Sequence, residues 1–309
     1  STIPNTSIPE NAPFNLSRSQ LREWIDQSLS PHSPHYNVPC TMRIVGKLDV
    51  DILQRAIFQL MKHHSILRAV LVPPTLQQEE AQQKIVPFED AIQLLSIEEL
   101  KCTEEETERQ VEASHLIPFD ISDESSLLLR VALIRQRSEI SILCMTFHHL
   151  ISDGWSLGVI QKQLAEEYSE LCGVMPAAKR KPLQYHIYIR WEHERSNTEI
   201  TEHPDYLFWA KHLEQFQEIN FSFKDHHQVL RDPCAAETCQ LSIPADQVKG
   251  FSSLCSENEC TLHMGLLSAF FILLYRYTMQ EHITVGSVIA NRPLVELHDA
   301  IGFFVNNLI

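Results

Sequence analysis

The sequence has no Lys/Arg-rich tract, no CxxC pair, no internal repeat and no low-complexity segment. Basic residues are outnumbered, 25 Lys and Arg against 40 Asp and Glu, for a formal net charge of −15. A surface of that sign repels phosphate backbones and anionic lipid, so neither nucleic acid nor a membrane is expected as a partner. The most apolar stretch, Gly265 to Tyr275, is too short to cross a bilayer and reads as a core helix. Ser1 to Phe14 is polar and rich in Pro and Asn, unlike a signal peptide or an anchor. A soluble, cytoplasmic protein is the expectation. Eight cysteines in 309 residues do not make a disulfide framework. Cys255, Cys260 and His263, or Cys234 with Cys239, lack metal-ligand spacing. Reduced, mostly buried thiols and no metal site are expected.

What is present is a globular chain, 44% hydrophobic, of mixed α/β character. The spacing predicts a helix over Ser17 to Leu29, capped by Ser17 or Ser19, and a strand over Cys40 to Val45 stopped by Gly46. Asp49 should cap an amphipathic helix running through His64, with Leu53, Ile57 and Leu60 on its apolar face. Leu67 to Val72 reads as a strand. Ser96 with Glu99 reads as a capping box that opens a charged helix to Ser114. Leu127 to Ile134 and Ile140 to Phe147 read as a hairpin turning at Arg137-Ser138. A helix from Ser156 to Leu171 should follow. Gly173 to Pro182 combines Gly, two Pro and a basic run and is read as a linker. The expected division is therefore 1–172, a linker at 173–182, and 183–309. In the last part the pattern predicts helices over Pro182 to Arg195, Pro204 to Phe216, Ala245 to Ser256 and Thr261 to Thr278. It predicts strands over Cys239 to Ile243, Ile283 to Ile289 and Gly302 to Val305.

The most informative segment is Phe147-His148-His149-Leu150-Ile151-Ser152-Asp153-Gly154-Trp155-Ser156. A histidine at the mouth of a strand can act as a base near neutral pH. Adjacent strand residues point to opposite faces, so one histidine should face an open site and the other should hold the turn. The bland reading is a strand-end pair satisfied by backbone carbonyls.

This HHxxxDG spacing resembles the signature of the condensation domains of nonribosomal peptide synthetases. Three further segments resemble that family's motifs in the same order. Ser17-Arg18-Ser19-Gln20-Leu21-Arg22-Glu23-Trp24 resembles SxAQxRLW. Lys62-His63-His64-Ser65-Ile66-Leu67-Arg68 resembles RHExLR. Ile301-Gly302-Phe303-Phe304-Val305-Asn306-Asn307 resembles IGxFVNT, after Asn291-Arg292-Pro293. The chain departs from the family pattern at Ile187, where an acid is usual, at Lys62 and His64 for Arg and Glu, and at Asn307 for Thr.

The resemblance implies a V-shaped pseudo-dimer of two chloramphenicol-acetyltransferase-like subdomains. Because the sequence ends at Ile309, just after the Asn motif, the second subdomain is expected to be incomplete and the isolated chain inactive. The implied activity is amide formation between aminoacyl or peptidyl thioesters on the phosphopantetheine arms of carrier proteins, with no cofactor bound by the domain itself. Upstream and downstream carrier proteins and a neighbouring adenylation domain are the implied partners. The resemblance makes His149 the base or amine-positioning group and His148 more structural. Asp153 is read as a turn anchor that needs a cation, which Arg292 offers. Gly154 fits a turn where a side chain would clash. Asn306, Trp155 and Ser156 are candidates near substrate, with Trp155 also read as core. Arg68 and His63 are read as fold supports. Two other functions fit the motif: a CoA-dependent acyltransferase of small molecules, and a carrier-binding module without catalysis.

Overall fold

A computed structural model describes residues 9, 11–76, 78, 80–137, 139–195, 203–221 and 239–309. The first elements are β1 (Phe14–Asn15), α1 (Arg18–Leu29), β2 (Asn37–Val45) and α2 (Val50–His63). Ser17 caps α1, its hydroxyl accepting from Gln20 N at 3.1 Å while the Gln20 amide oxygen accepts from Ser17 N at 2.9 Å. Asp49 caps α2 through Ile52 N at 3.1 Å. Gly46 ends β2 at φ +112°, a conformation that favours glycine.

The chain continues with β3 (Ala69–Val72), β4 (Gln82–Ile85), α3 (Phe88–Leu94), β5 (Ile97–Lys101), α4 (Glu104–Leu116), β6 (Leu129–Arg137) and β7 (Ile140–His148). Two of these correct the sequence reading. Ser65–Arg68 forms a 3-10 turn, so the strand expected from Leu67 starts at Ala69. The helix expected from Ser96 is instead β5 followed by α4. The S/T-x-x-E pattern occurs twice, and the second copy is used: the Glu106 carboxylate accepts from Thr103 N at 3.1 Å and from its hydroxyl at 3.0 Å. Parallel pairing of Ile97–Lys101 with β6 overrides the first copy. The turn expected at Arg137-Ser138 falls partly outside the described residues.

The order β2-β7-β6-β5 makes a four-stranded sheet, antiparallel except where β5 joins β6. Next come α5 (Gly154–Leu171) and α6 (Tyr185–Arg195). Leu133, Leu143, Met145 and Phe147 share a core with Leu53, Ile57 and Leu60 of α2 and Ile160 and Leu164 of α5. On the other face Ala132, Ile134, Ile142 and Cys144 pack with Val111 of α4. Both faces of β7 are therefore covered, which is why its sequence is a continuous apolar run rather than an alternation. A smaller antiparallel sheet has the strand order β1-β4-β3.

The remaining elements are α7 (Pro204–His212), α8 (Ala245–Glu257), α9 (Leu262–Thr278), β8 (Ser287–Ile289) and β9 (Asn306–Leu308), with β8 and β9 paired. Residues 239–243 and 302–305 carry no strand, contrary to the sequence pattern. Only the end of 283–289 is a strand, α6 starts at Tyr185 rather than Pro182, and α7 stops at His212. By packing, the chain divides into two compact units, 1–197 with 288–306, and 198–287 with 307–309. Residues 183–197 belong to the first unit because Tyr185, Tyr188 and Ile189 join its core, as do Phe303 and Phe304. The second unit holds α7, α8 and α9. There Cys255 lies against Gly265, where a Cβ would overlap its sulfur.

No single helix among the described residues is long and apolar enough to cross a membrane. The cysteines are less buried than expected: Cys40, Cys144 and Cys255 are buried, whereas Cys172, Cys239 and Cys260 are exposed. Cys234 lies outside the described residues.

Candidate active site

β7 delivers His148 and His149 to its end, where the last pairing partner is Asn37. His149 N donates to Tyr36 O at 2.8 Å, and a single 3-10 turn, His149–Ile151, follows. Gln20 of α1 fixes this turn from outside, its amide nitrogen donating to Leu150 O at 2.7 Å. The two histidines diverge, His148 as the last strand residue and His149 as the first of the turn.

His148 is buried, its Nδ1 accepts from Leu150 N at 3.1 Å, and its ring lies between Tyr36 and Phe119. Burial, with smaller contributions from His149, His35 and Arg130, pushes its pKa down to about 3, so it is neutral and holds the turn.

His149 keeps 28% of its side-chain surface exposed. Its ring stands edge-on to Phe303 at 4.7 Å, and its Nδ1 edge is covered and faces the Glu23 carboxyl at 3.6 Å. Burial lowers its pKa from the ordinary value, while Asp153 and its own carbonyl pull the other way. A partly open, neutral imidazole has a lone pair available to take a proton at neutral pH.

Asp153 is fully buried and caps α5, Oδ1 accepting from Ser156 N at 2.8 Å. Arg292 Nη2 lies 3.2 Å from the same oxygen, and Phe304 N donates to Oδ2 at 3.0 Å. Arg292 also donates from Nη1 to Leu297 O at 2.5 Å and Ala300 O at 2.6 Å, and it sits 4.0 Å over the Phe304 ring. Burial lowers the Arg292 pKa and the Asp153 charge raises it. A buried pair this well bonded joins the start of α5 to the segment before β9.

Ser156, expected at substrate, is buried in this network. Its hydroxyl accepts from Arg292 Nη2 at 2.9 Å and from Gly302 N at 3.1 Å, and donates to Gly302 O at 2.9 Å. Trp155 is not core: it is 43% exposed, with its Nε1 donating to His298 O at 2.9 Å. Gly154 does not match its expected reason either, because its φ is ordinary and a Cβ there would meet nothing within 4 Å. Gly302 is the glycine the site requires, since a Cβ there would overlap the buried Tyr185 ring. Tyr185 Oη in turn donates to Phe303 O at 2.5 Å and lies 3.1 Å from Ser17 Oγ.

Asn306 opens β9, half-buried. Arg68 donates to Met61 O at 3.2 Å and Val86 O at 2.5 Å, tying α2 to the end of β4. His63 Nδ1 faces Glu167 at 3.1 Å, and that glutamate also accepts from Arg180 at 2.6 Å. Sequence reasoning missed Glu23, Tyr185 and the role of Gly302. Glu23 carried no assigned role in the SxAQxRLW-like segment, yet it is only 9% exposed.

A family model for the condensation domain matches residues 12–309. The chain belongs to the condensation-domain family. Chondramide synthase cmdD of Chondromyces crocatus is 31% identical over 312 residues, covering 99% of this chain and 8% of that synthase. The bassianolide nonribosomal cyclodepsipeptide synthetase of Beauveria bassiana is 30% identical over 316 residues, covering 99% of this chain and 10% of that synthetase. The chain thus spans a small part of the curated relatives it matches. The starter condensation domain of rhizomide synthetase superposes with a TM-score of 0.76 at 19% identity, over 96% of this chain and 66% of that one. The first condensation domain of the calcium-dependent antibiotic synthetase, bound to a substrate analogue, gives 0.77 at 17% identity, over 97% and 69%. These likenesses show a mixed α/β, chloramphenicol-acetyltransferase-like fold. Condensation domains of nonribosomal peptide synthetases are acyltransferases that form amide bonds between carrier-bound substrates.

Proposed function

We propose that this condensation domain joins an aminoacyl or peptidyl thioester on one carrier protein to the amine of an aminoacyl thioester on a second. The observation that carries this reading is His149, a half-open neutral imidazole at the end of β7 in an intact HHxxxDG segment. The acceptor amine attacks the donor thioester carbonyl, the new C–N bond forms and the C–S bond breaks. The amine gives up a proton and the departing thiolate gains one. His149 takes that proton or orients the amine, using the ring edge that Glu23 leaves uncovered. Asp153 and Arg292 hold the backbone that carries His149 rather than moving protons, because both Asp153 oxygens and both terminal Arg292 nitrogens are engaged within the fold.

The donor and acceptor are carried on phosphopantetheine arms, and carrier proteins and an adenylation domain are its working partners in the cytoplasm. Asn306 and Trp155 are the residues we assign nearest to substrate. The test is amide formation by the polypeptide that carries this chain, supplied with two loaded carrier proteins and read by mass spectrometry of the acceptor carrier. An elongated acceptor thioester is expected. Acylation of a free amine from acyl-CoA with none from the carriers would replace this reading by the CoA-dependent one, and no product from either would leave a binding module.

A further inference from the structure

We propose that Glu23 is the positioning residue of His149: its carboxyl, facing Nδ1, fixes which ring nitrogen carries the proton and so sets the basicity of the nitrogen that meets substrate. The proposal rests on the assignment of His149 above. Where the motif SxAQxRLW carries Leu, this chain carries Glu23. The carboxyl that stands there is buried, at 9% exposure.

A buried carboxyl without hydrogen bonds is costly and calls for an explanation. Glu23 Oε2 and His149 Nδ1 are both covered, and neither has a hydrogen-bond partner among the described residues. They face each other across 3.6 Å, Glu23 Oε1 to His149 Nδ1. That is slightly too long for a hydrogen bond, and a shift of a few tenths of an ångström closes it. Catalytic contacts of this kind often tighten only when substrate binds.

The charged and titratable neighbours are few. Arg22 and Asp26 stand on α1 itself, His35 and Tyr36 precede β2, His148 is the neighbour on β7, and Asp153 begins α5. Burial dominates among them. It pushes the Glu23 pKa up to about 8, against Arg22, which lowers it, and with Asp26, which raises it. Burial also holds His149 below its ordinary value. At neutral pH the contact is therefore between two uncharged groups and not an ion pair.

The protonation state of Glu23 then decides the tautomer. A protonated carboxyl donates to Nδ1 and leaves the ring proton on Nε2, so at neutral pH the base is the fraction of molecules in which Glu23 is ionised. An ionised carboxylate accepts from Nδ1–H, leaves the Nε2 lone pair free and makes it more basic. The pair releases its protons in coupled steps that belong to both residues.

The experiment compares wild type, Glu23→Gln and Glu23→Leu in the polypeptide that carries this chain. Long-range ¹H–¹⁵N spectra of the His149 ring report the tautomer without any need for turnover. Wild type should move from the Nε2–H to the Nδ1–H form between about pH 7 and 9, following the Glu23 ionisation near 8. Both variants should hold one tautomer throughout. In the amide-forming assay, kcat of wild type should rise through the same range, while Glu23→Gln stays roughly tenfold lower at the alkaline end with unchanged KM for the carriers. An unchanged wild-type tautomer across that range overturns the proposal. So does a Glu23→Gln kcat–pH profile that matches wild type, with or without a change in melting temperature. If Glu23→Leu fails to fold, the wild-type spectra and Glu23→Gln still decide. Failure of His149 to act in catalysis would appear separately, as activity that survives His149→Ala.

Discussion

Around Asp153 the carboxylate oxygens are occupied: Ser156 N, Arg292 and Phe304 N all donate to them within 3.2 Å. Four residues earlier, at His149, one ring nitrogen is covered without a hydrogen bond, the glutamate opposite it is unsatisfied, and the other ring edge is open. The two places share a strand end, a turn and a helix start, yet one is closed to further chemistry and the other is not. A polar group whose partners are all supplied by the fold stabilises it. A polar group left wanting at partial exposure is available to a substrate. His148 Nε2 and Ser152 Oγ are also without a partner among the described residues, but both residues are buried, so within HHxxxDG only His149 combines an unsatisfied nitrogen with exposure. That combination divides the segment into a reactive part and a supporting part.

The largest effect expected on the supporting side comes from the Asp153–Arg292 pair. Removing either partner leaves a buried charge alone and should cost about 3–5 kcal/mol. Asp153→Ala also removes a helix cap, worth about 1 kcal/mol. Denaturant unfolding of Asp153→Ala, Arg292→Ala and the double variant checks this, the double being less destabilised than the sum. Strict additivity would dissolve the pair.

A smaller loss is expected at Gly302. The added methyl of Gly302→Ala collides with Tyr185, which is held by its hydroxyl and by the Phe304 ring at 4.9 Å, and overpacking of this kind costs about 1–3 kcal/mol. Thermal unfolding of Gly302→Ala beside Gly154→Ala reads the difference, because a methyl at Gly154 meets nothing.

The smallest effect is the shape of stability against pH. His148, His64 and His186 have folded pKa values of about 3, 4 and 4, each below the ordinary 6.5. Below pH 6.5 the unfolded chain binds protons that the folded chain refuses, so stability falls as pH drops from there. Glu23 has the opposite sign. Its folded pKa of about 8 exceeds the ordinary 4.5, so its contribution is lost as pH rises through that window. The melting temperature should therefore peak near pH 6.5, and in Glu23→Gln the alkaline decline should be shallower. A decline unchanged in that variant would show that Glu23 is not the buried acid described.

Much of the supporting side was legible in the sequence. Asp153 needs a cation when buried, and the family resemblance offered Arg292, which lies 3.2 Å from it. Strand alternation separated His148 from His149 without coordinates. Other features depended on tertiary contacts that no local pattern encodes. Ile97–Lys101 carries a capping signal that loses to parallel pairing with β6. Gly154 and Gly302 are alike as letters, and only the position of the Tyr185 ring distinguishes them. Glu23 drew no notice because periodicity cannot tell which neighbour covers a charged position. In the second unit α9 leaves Leu266, Phe270 and Ile272 exposed although its sequence reads as core, since apolarity states a preference for burial and not its fulfilment.

The division of the HHxxxDG segment is tested most directly by a side-by-side measurement of His149→Ala and Asp153→Asn in the polypeptide that carries this chain, each assayed for carrier-dependent amide formation and for melting temperature. His149→Ala should lose about 10²–10⁴-fold in kcat with its melting temperature unchanged, as for a lost general base. Asp153→Asn should melt lower, while its folded fraction works within a few-fold of wild type. The reverse pattern, Asp153→Asn folded but dead and His149→Ala active, would contradict the division between a reactive histidine and a supporting aspartate.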